Sequence, residues 1–145
     1  KKTQGIICFF LKKKTFLKFS GFDEKFFLYY EDNDLVRRML KKKFEIYQVP
    51  IRYSNFLGSH NKKFSNSIEI NRNWHYMWSK FYYNKKHFGY LYSFLSTLPY
   101  FVRALIRSII YINNPLKKKI YSARISGLYN SYILKDPWYR PKIDE

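Results

Sequence analysis

Carboxylates are concentrated in one short part of this basic sequence. Five of the ten acidic residues in the 145-residue chain lie between Asp23 and Asp34, whereas 28 residues are Lys or Arg. Glu31, Asp32 and Asp34 directly precede an apolar and then cationic stretch, Leu35 to Lys43. A crowded or buried carboxylate has its pKa moved toward neutrality and can act as a general base. The structural alternative is helix capping, since acidic first turns stabilise helices.

The segments around these acids predict an α/β arrangement. Gly5 to Leu11 is a short apolar run typical of a buried strand, and Lys12 to Phe19 favours one or two helical turns. An aromatic run, Phe22 to Tyr30, then leads to a helix predicted over 31–42, where acids come first and cations last. Glu45 to Pro50 alternates and closes on Pro, which indicates a second strand.

The second half of the chain is predicted to be mostly helical. One helix is expected to begin at Asn66 or Ser67, with these apolar residues on one face: Ile70, Trp74, Met77, Trp78 and Phe81. A buried or interfacial helix is expected to have Pro99 near its start and to carry this apolar stripe: Leu98, Val102, Leu105, Ile109 and Ile112. The uncharged run Phe88 to Val102 is shorter than the roughly 20 residues that span a bilayer. Pro115 is expected to open a last helix.

The stretch from Ser20 to Arg38 carries a family resemblance. It reads SGFDEKFFLYYEDNDLVRR and closely resembles the GGFDE-x-FF-x-Y-x-ED-x-DL-x-x-R segment of family-two glycosyltransferases, above all the rhamnosyltransferase-like bacterial members. The similarity extends to a Tyr-x-Val-Pro strand ending at Pro50 and to a Lys-His-x-Gly stretch ending at Gly89. The resemblance implies a partial GT-A (Rossmann-like) sheet region over 1–65, the acceptor side of the catalytic domain. A helical C-terminal extension, 66–145, would pack on it.

The same resemblance implies an inverting sugar transfer and assigns roles to three acids. Asp32 would be the general base that deprotonates the acceptor hydroxyl. Glu31 and Asp34 would lie beside it, one orienting the acceptor and the other capping the helix. The donor would be a nucleotide sugar, and the acceptor would be a polysaccharide or a lipid-linked glycan of the cell envelope.

A divalent metal, Mg²⁺ or Mn²⁺, is also implied by the resemblance. Members of the family hold it mainly through a DxD motif in a nucleotide-binding half that should precede residue 1, so the isolated chain is expected to be inactive. The sequence Asp32-Asn33-Asp34 is in the acceptor-side register instead. His60, two residues after Gly58, is the candidate in this chain for the family's metal-binding His.

The basic, aromatic composition leaves two non-enzymatic alternatives open. A net charge of +18 with 22% aromatic residues suits a nucleic-acid-binding protein or a module on an anionic membrane surface. The lysine triplets at 12–14, 41–43 and 117–119 are scattered and accompany no nucleic-acid-binding motif, which disfavours nucleic acid as the partner. The stretch 88–133 is apolar and cationic, which suits binding to an anionic lipid surface. Such a surface also holds lipid-linked glycan acceptors. We therefore expect a cytoplasmic protein, peripheral at the inner face of the membrane.

The single cysteine, Cys8, excludes an intrachain disulfide.

Overall fold

The structure is a computed structural model that describes residues 10–47, 65–137 and 139. Helices account for 71% of it. They are α1 (Lys13–Lys18), α2 (Glu31–Lys41), α3 (Ser65–Phe88), α4 (Tyr90–Ile110) and α5 (Pro115–Tyr132). No residue in these described ranges lies in a strand. The predicted α/β fold with a Rossmann-like sheet is therefore wrong, and the described part of the chain is helical.

The predicted strands fail for identifiable reasons. At 45–47, Ile46 and Tyr47 are both exposed, so the alternating pattern gives the backbone no buried face. The aromatic run before α2 turns instead of extending, because Phe26 N–H donates to the Asp23 carbonyl at 3.0 Å. Of the run Gly5 to Leu11 only the last two residues are described, and neither is in a strand.

The helical predictions are confirmed with small shifts at the ends. The helix predicted over 31–42 is α2, and the one expected from Asn66 or Ser67 begins at Ser65. The turns predicted over 12–19 are α1, and Pro115 opens α5. At the start of α5 the Asn114 side chain accepts a hydrogen bond from the Lys117 N–H, so the helix has a side-chain cap. The predicted division of the chain at residues 65 and 66 stays a prediction.

Helices α3, α4 and α5 pack together around the predicted face of α3. Trp74 and Trp78 pack on Ala123, and Met77 and Phe81 pack on Leu128. The spacing of these α3 residues places them on one side of the helix, which explains why all four are buried. This bundle is the support on which the acid-bearing part of the chain rests.

A second, smaller core joins α1 to α2. Phe19, Leu35 and Met39 are buried together. Partly buried apolar side chains surround them: Leu11, Phe16 and Phe44. This core orients α2 so that its opposite side faces α3.

The buried face of helix α4 is not the apolar stripe noted in the sequence. Its inner side consists of small residues, Ser93, Thr97 and Ala104, which allow close approach to its neighbours. The two hydroxyls are satisfied, because Ser93 Oγ donates to the Phe81 carbonyl and Thr97 Oγ1 donates to the Ser93 carbonyl, both at 2.7 Å. The predicted stripe lies instead on the outer side, where Val102, Leu105 and Ile109 are exposed and Ile112 follows the end of the helix.

Two further features bear on α4. Pro99 lies inside the helix and not near its start. Gly89 separates α3 from α4 with φ = +90°, a left-handed conformation that a residue with a Cβ adopts only under strain.

Over the residues the structure describes, no helix combines the length and hydropathy that crossing a membrane requires.

The closest approach of α3 and α5 generates a stability prediction. A Cβ at Gly127 would lie 2.5 Å from the Trp74 carbonyl oxygen, so Gly127→Ala must push the two helices apart. We expect a loss of about 2 kcal/mol in the free energy of unfolding, measured in urea. The substitution would otherwise stabilise a helix by about 1 kcal/mol. The exposed Ser122→Ala in the same helix should stay within about 0.5 kcal/mol of the wild type. A Gly127→Ala protein as stable as the wild type would contradict this packing.

Candidate functional site

The chain enters α2 through two strained residues. Tyr29 and Tyr30 have φ of +68° and +70°, a left-handed conformation that costs about 1–3 kcal/mol for each non-glycine residue. Bonds to α3 hold this turn in place. Arg72 Nε donates to Tyr29 Oη at 2.7 Å, and Ser79 Oγ donates to the Leu28 carbonyl at 2.8 Å. The start of α2 is therefore fixed relative to α3 by the fold.

Tyrosine rings surround the first turn of α2. The ring centroid of Tyr30 lies 5.9 Å from that of Tyr76 and 5.2 Å from that of Tyr83. Burial, reinforced by the neighbouring hydroxyls of Tyr76, Tyr100 and Tyr83, raises the pKa of Tyr30 far above its usual value. In the same cluster, a hydrogen bond to Lys80 lowers the pKa of Tyr100. The acids of α2 thus emerge beside an aromatic surface whose Tyr30 hydroxyl is protonated at neutral pH.

Asp34 is fully buried and is surrounded by donors. Arg38 Nε lies 2.8 Å from its Oδ2, while Lys86 Nζ and His87 Nε2 each lie 2.8 Å from its Oδ1. A buried carboxylate is tolerated only when it is paired and hydrogen-bonded. Both oxygens of Asp34 are therefore committed to protein partners.

The pairing extends beyond Asp34 into the loop that precedes α2. Arg38 also donates to the carbonyls of Phe19 and Gly21, the latter at 2.6 Å. Lys86 Nζ bridges from Asp34 to Asp23 Oδ2 at 2.7 Å. The Asp34 network has five members: Asp23, Asp34, Arg38, Lys86 and His87. It ties the loop, α2 and the C-terminal end of α3 into one unit.

Two members of the Asp34 network have shifted pKa values. Burial opposes ionisation of Asp23, yet the hydrogen bonds from Lys86, the Lys25 N–H and Tyr82 hold the pKa of Asp23 below its usual range. Burial lowers the pKa of His87, although its hydrogen bond to Asp34 acts in the opposite direction. At neutral pH the network therefore contains an ionised Asp23 and a neutral imidazole.

Asp32 and Glu31 are in different surroundings. Asp32 is partly buried, and its Oδ1 accepts the N–H of Asn33 at 2.7 Å. It forms no ion pair with any residue of the described ranges. Glu31 is also partly buried, and its Oε2 is enclosed without a hydrogen-bond partner. The N-cap residue of α2 is Tyr30, which makes no side-chain cap bond, so the acids act on the helix through its dipole.

A divalent metal does not fit the acidic start of α2. Asp34 directs both oxygens at cationic or N–H donors, so Asp32-Asn33-Asp34 cannot act as a paired carboxylate ligand set. In the part of the chain that the structure describes, no group of three or more His, Cys, Asp or Glu residues could hold a metal ion. His60, the predicted metal ligand, lies outside the described residues.

Sequence reasoning finds the acids but misses most of their partners. The pairing of Asp34 with Arg38 has a local signal, since the two residues are four apart on one helix. Lys86 and His87 have none, because His87 is 53 positions from Asp34 and reaches it only through the packing of α2 on α3. The helix that carries them was predicted from its start and its apolar face, but the contact with Asp34 was not.

Comparison with known proteins supports part of the family resemblance. The family model described as the N-terminal domain of galactosyltransferase matches residues 1–62, a range that contains α1, α2 and the acids Glu31, Asp32 and Asp34. The match supports a relationship to glycosyltransferases and, at that level, a transferase activity. The family-two, rhamnosyltransferase-like assignment stays a prediction. No match was found among curated proteins or among solved structures.

The lowered pKa of Asp23 gives a pH-dependent prediction. Because the folded pKa lies below the unfolded value, the stability that Asp23 contributes is present above about pH 4 and is lost as pH falls through the folded pKa. Asp23→Asn should therefore be less stable than the wild type by about 1 kcal/mol at pH 7. The difference should shrink as the pH falls from 4 toward the folded pKa. Urea unfolding of both proteins across this range measures it.

A neighbouring acid provides the control for this titration. Glu24 is exposed, and Glu24→Gln should leave the free energy of unfolding at pH 7 within about 0.5 kcal/mol of the wild type. A difference between the wild type and Asp23→Asn that stays the same from pH 7 to pH 3 would mean that the ionised carboxylate is not what stabilises the loop.

Proposed function

We propose that this chain supplies the acceptor side of an inverting glycosyltransferase, with Asp32 as the general base. The donor is a nucleotide sugar, and the acceptor is a hydroxyl of a polysaccharide or lipid-linked glycan. The matched galactosyltransferase model supports the coarse activity. The finer assignment to a family-two, rhamnosyltransferase-like enzyme rests on the SGFDE and ED-x-D residues of the sequence.

One observation carries the choice of Asp32 over its neighbours. Asp34 is fully buried with both oxygens paired, whereas Asp32 has one local hydrogen bond and no ion pair to a described residue. Successive residues of an α-helix are about 100° apart around the axis, so Asp32 faces about 200° away from Asp34. The two carboxylates therefore leave one helix in different directions, and the partly buried Asp32 carries no ion pair to a described residue.

Glu31 has a supporting position in this scheme. It lies three residues before Asp34, about 60° from it around the axis, which agrees with its partly buried side chain. We assign to Glu31 the hydrogen bond that orients a second hydroxyl of the acceptor sugar.

The reaction step balances with Asp32 alone as the proton acceptor. The acceptor hydroxyl oxygen forms a bond to the anomeric carbon of the donor while the bond from that carbon to the phosphate oxygen breaks. The nucleoside diphosphate leaves with the bonding pair, and the hydroxyl proton passes to Asp32. Attack opposite the leaving group inverts the anomeric configuration.

The remaining requirements of transfer fall outside the described residues. A nucleotide diphosphate, with the Mg²⁺ or Mn²⁺ that the resemblance implies, needs its own binding groups, and the acidic start of α2 does not suit a metal. The proposal assigns donor binding to other residues of the coding sequence or to another chain. The Asp34 network then has a positioning role, since it fixes the helix that carries the base.

Replacing the proposed base tests the function directly. In the enzyme with its complete coding sequence, Asp32→Asn keeps the shape of the side chain but removes the proton acceptor. We expect the turnover number to fall about 100-fold or more, with the donor KM and the melting temperature unchanged. Transfer is measured with a panel of nucleotide sugars and a glycan acceptor.

Glu31→Gln is the matched control, because it removes one charge from the adjacent position and keeps hydrogen-bonding capacity. It should reduce turnover less than about 10-fold, chiefly through the acceptor KM. Near-normal turnover in Asp32→Asn would refute the assignment. A larger loss of turnover in Glu31→Gln than in Asp32→Asn would move the base to Glu31.

A further inference from the structure

Helix α4 presents an apolar face that the rest of the described protein leaves uncovered. The exposed fraction is 70% for Leu91, 58% for Leu95, 53% for Ile106 and 70% for Ile109. With about 100° between successive residues, these four side chains lie within about 60° of one another around the helix axis. The 21 residues of α4 extend this face over about 31 Å. An exposed apolar surface of this length marks an interaction site.

Cations lie along one edge of this face and at its end. Arg103 and Arg107 are in the wall of a shallow apolar groove on α4. Arg107 Nη1 donates to Tyr121 Oη at 2.8 Å, and the ring of Tyr121 stacks on that of Tyr111 with 5.6 Å between centroids. Lys117 Nζ lies 4.5 Å from the centroid of Tyr111. The fold thus holds cationic side chains at fixed positions beside the C-terminal end of the face.

The charge around α4 has a single sign. From Phe88 to Lys135 the sequence contains no Asp or Glu and seven Lys or Arg residues. Three of these, the exposed triplet 117–119, lie in the first turn of α5, directly after the turn that ends α4. A surface that complements this region must be apolar in its middle and anionic at its border.

We propose that the outer face of α4 docks on an anionic phospholipid membrane. The helix lies along the interface, with its Leu and Ile side chains among the acyl chains near the headgroups. Arg103, Arg107 and the 117–119 triplet contact lipid phosphates. A second copy of the chain would bring like-charged borders together across the contact, which disfavours self-association. The proposal does not depend on the transferase assignment.

Vesicle flotation of the 145-residue chain tests the contribution of charge. Vesicles of phosphatidylglycerol and phosphatidylcholine should bind the protein at low salt and release it as salt screens the charges, while pure phosphatidylcholine vesicles should bind it weakly. Replacing the triplet 117–119 by Gln should weaken binding about 10-fold or more. Replacing the exposed triplet 12–14 by Gln removes the same charge from a segment outside α4 and α5, and it should weaken binding less than about 3-fold. Equal losses from the two triplets would overturn the proposed location.

The apolar contribution is tested by a second pair of variants. Leu95→Gln combined with Ile109→Gln should weaken vesicle binding about 10-fold, since both side chains would leave the acyl region. Leu17→Gln combined with Leu40→Gln changes two exposed apolar residues outside α4 and should leave binding unchanged. Circular dichroism shows that each variant is folded. Three results would overturn the proposal: equal binding to both vesicle types, tighter binding to random RNA, or a dimer that only the α4 variant disrupts.

Discussion

The buried charge of Asp34 is the constraint on which the described structure depends. A carboxylate without access to water must be matched by donors, and its donors come from both α2 and α3. Because Lys86 and His87 lie at the end of α3, the match can form only when α2 is in one position relative to the bundle. Arg38 extends the same constraint to the loop through the Phe19 and Gly21 carbonyls. A local electrostatic requirement thus determines where an entire helix lies.

Fixing α2 in this way gives its neighbouring acids opposite surroundings. Asp34 is fully buried and ion-paired, while Asp32, two residues earlier, is partly buried, accepts one hydrogen bond from the Asn33 N–H and makes no ion pair to a described residue. The left-handed pair Tyr29 and Tyr30 sets the angle at which the chain enters the helix, and its strain is offset by bonds to α3. Strain of this kind persists only where surrounding contacts determine the conformation. The proposed base is therefore carried by a helix whose position these bonds set.

Features that depend on interactions between neighbouring residues could be predicted from the sequence, whereas contacts between distant parts of the chain could not. The helices α2, α3 and α5 have local signals, namely charge order, spacings of three and four, and Pro115, and these predictions are confirmed. No strand is present in the residues that the structure describes, because short apolar runs do not report whether a pairing partner exists elsewhere in the chain. The sequence left open whether the apolar stripe of α4 is buried or interfacial, and it did not indicate the face that is buried, since Ser93 and Thr97 satisfy their hydroxyls on backbone carbonyls and so bury a face that looks polar. The contact of His87 with Asp34 depends on tertiary packing alone.

The difference between Asp34 and Asp32 is tested most directly by substituting each acid separately and measuring the stability of the two variants. The free energy of unfolding in urea is measured for Asp34→Asn and Asp32→Asn at neutral pH. Asp34→Asn leaves Arg38 and Lys86 without their shared carboxylate and should lose about 3 kcal/mol, whereas Asp32→Asn should change by less than about 0.5 kcal/mol. Equal losses for the two variants, or a larger loss for Asp32→Asn, would contradict the account of a paired structural acid at Asp34 and an unpaired acid at Asp32.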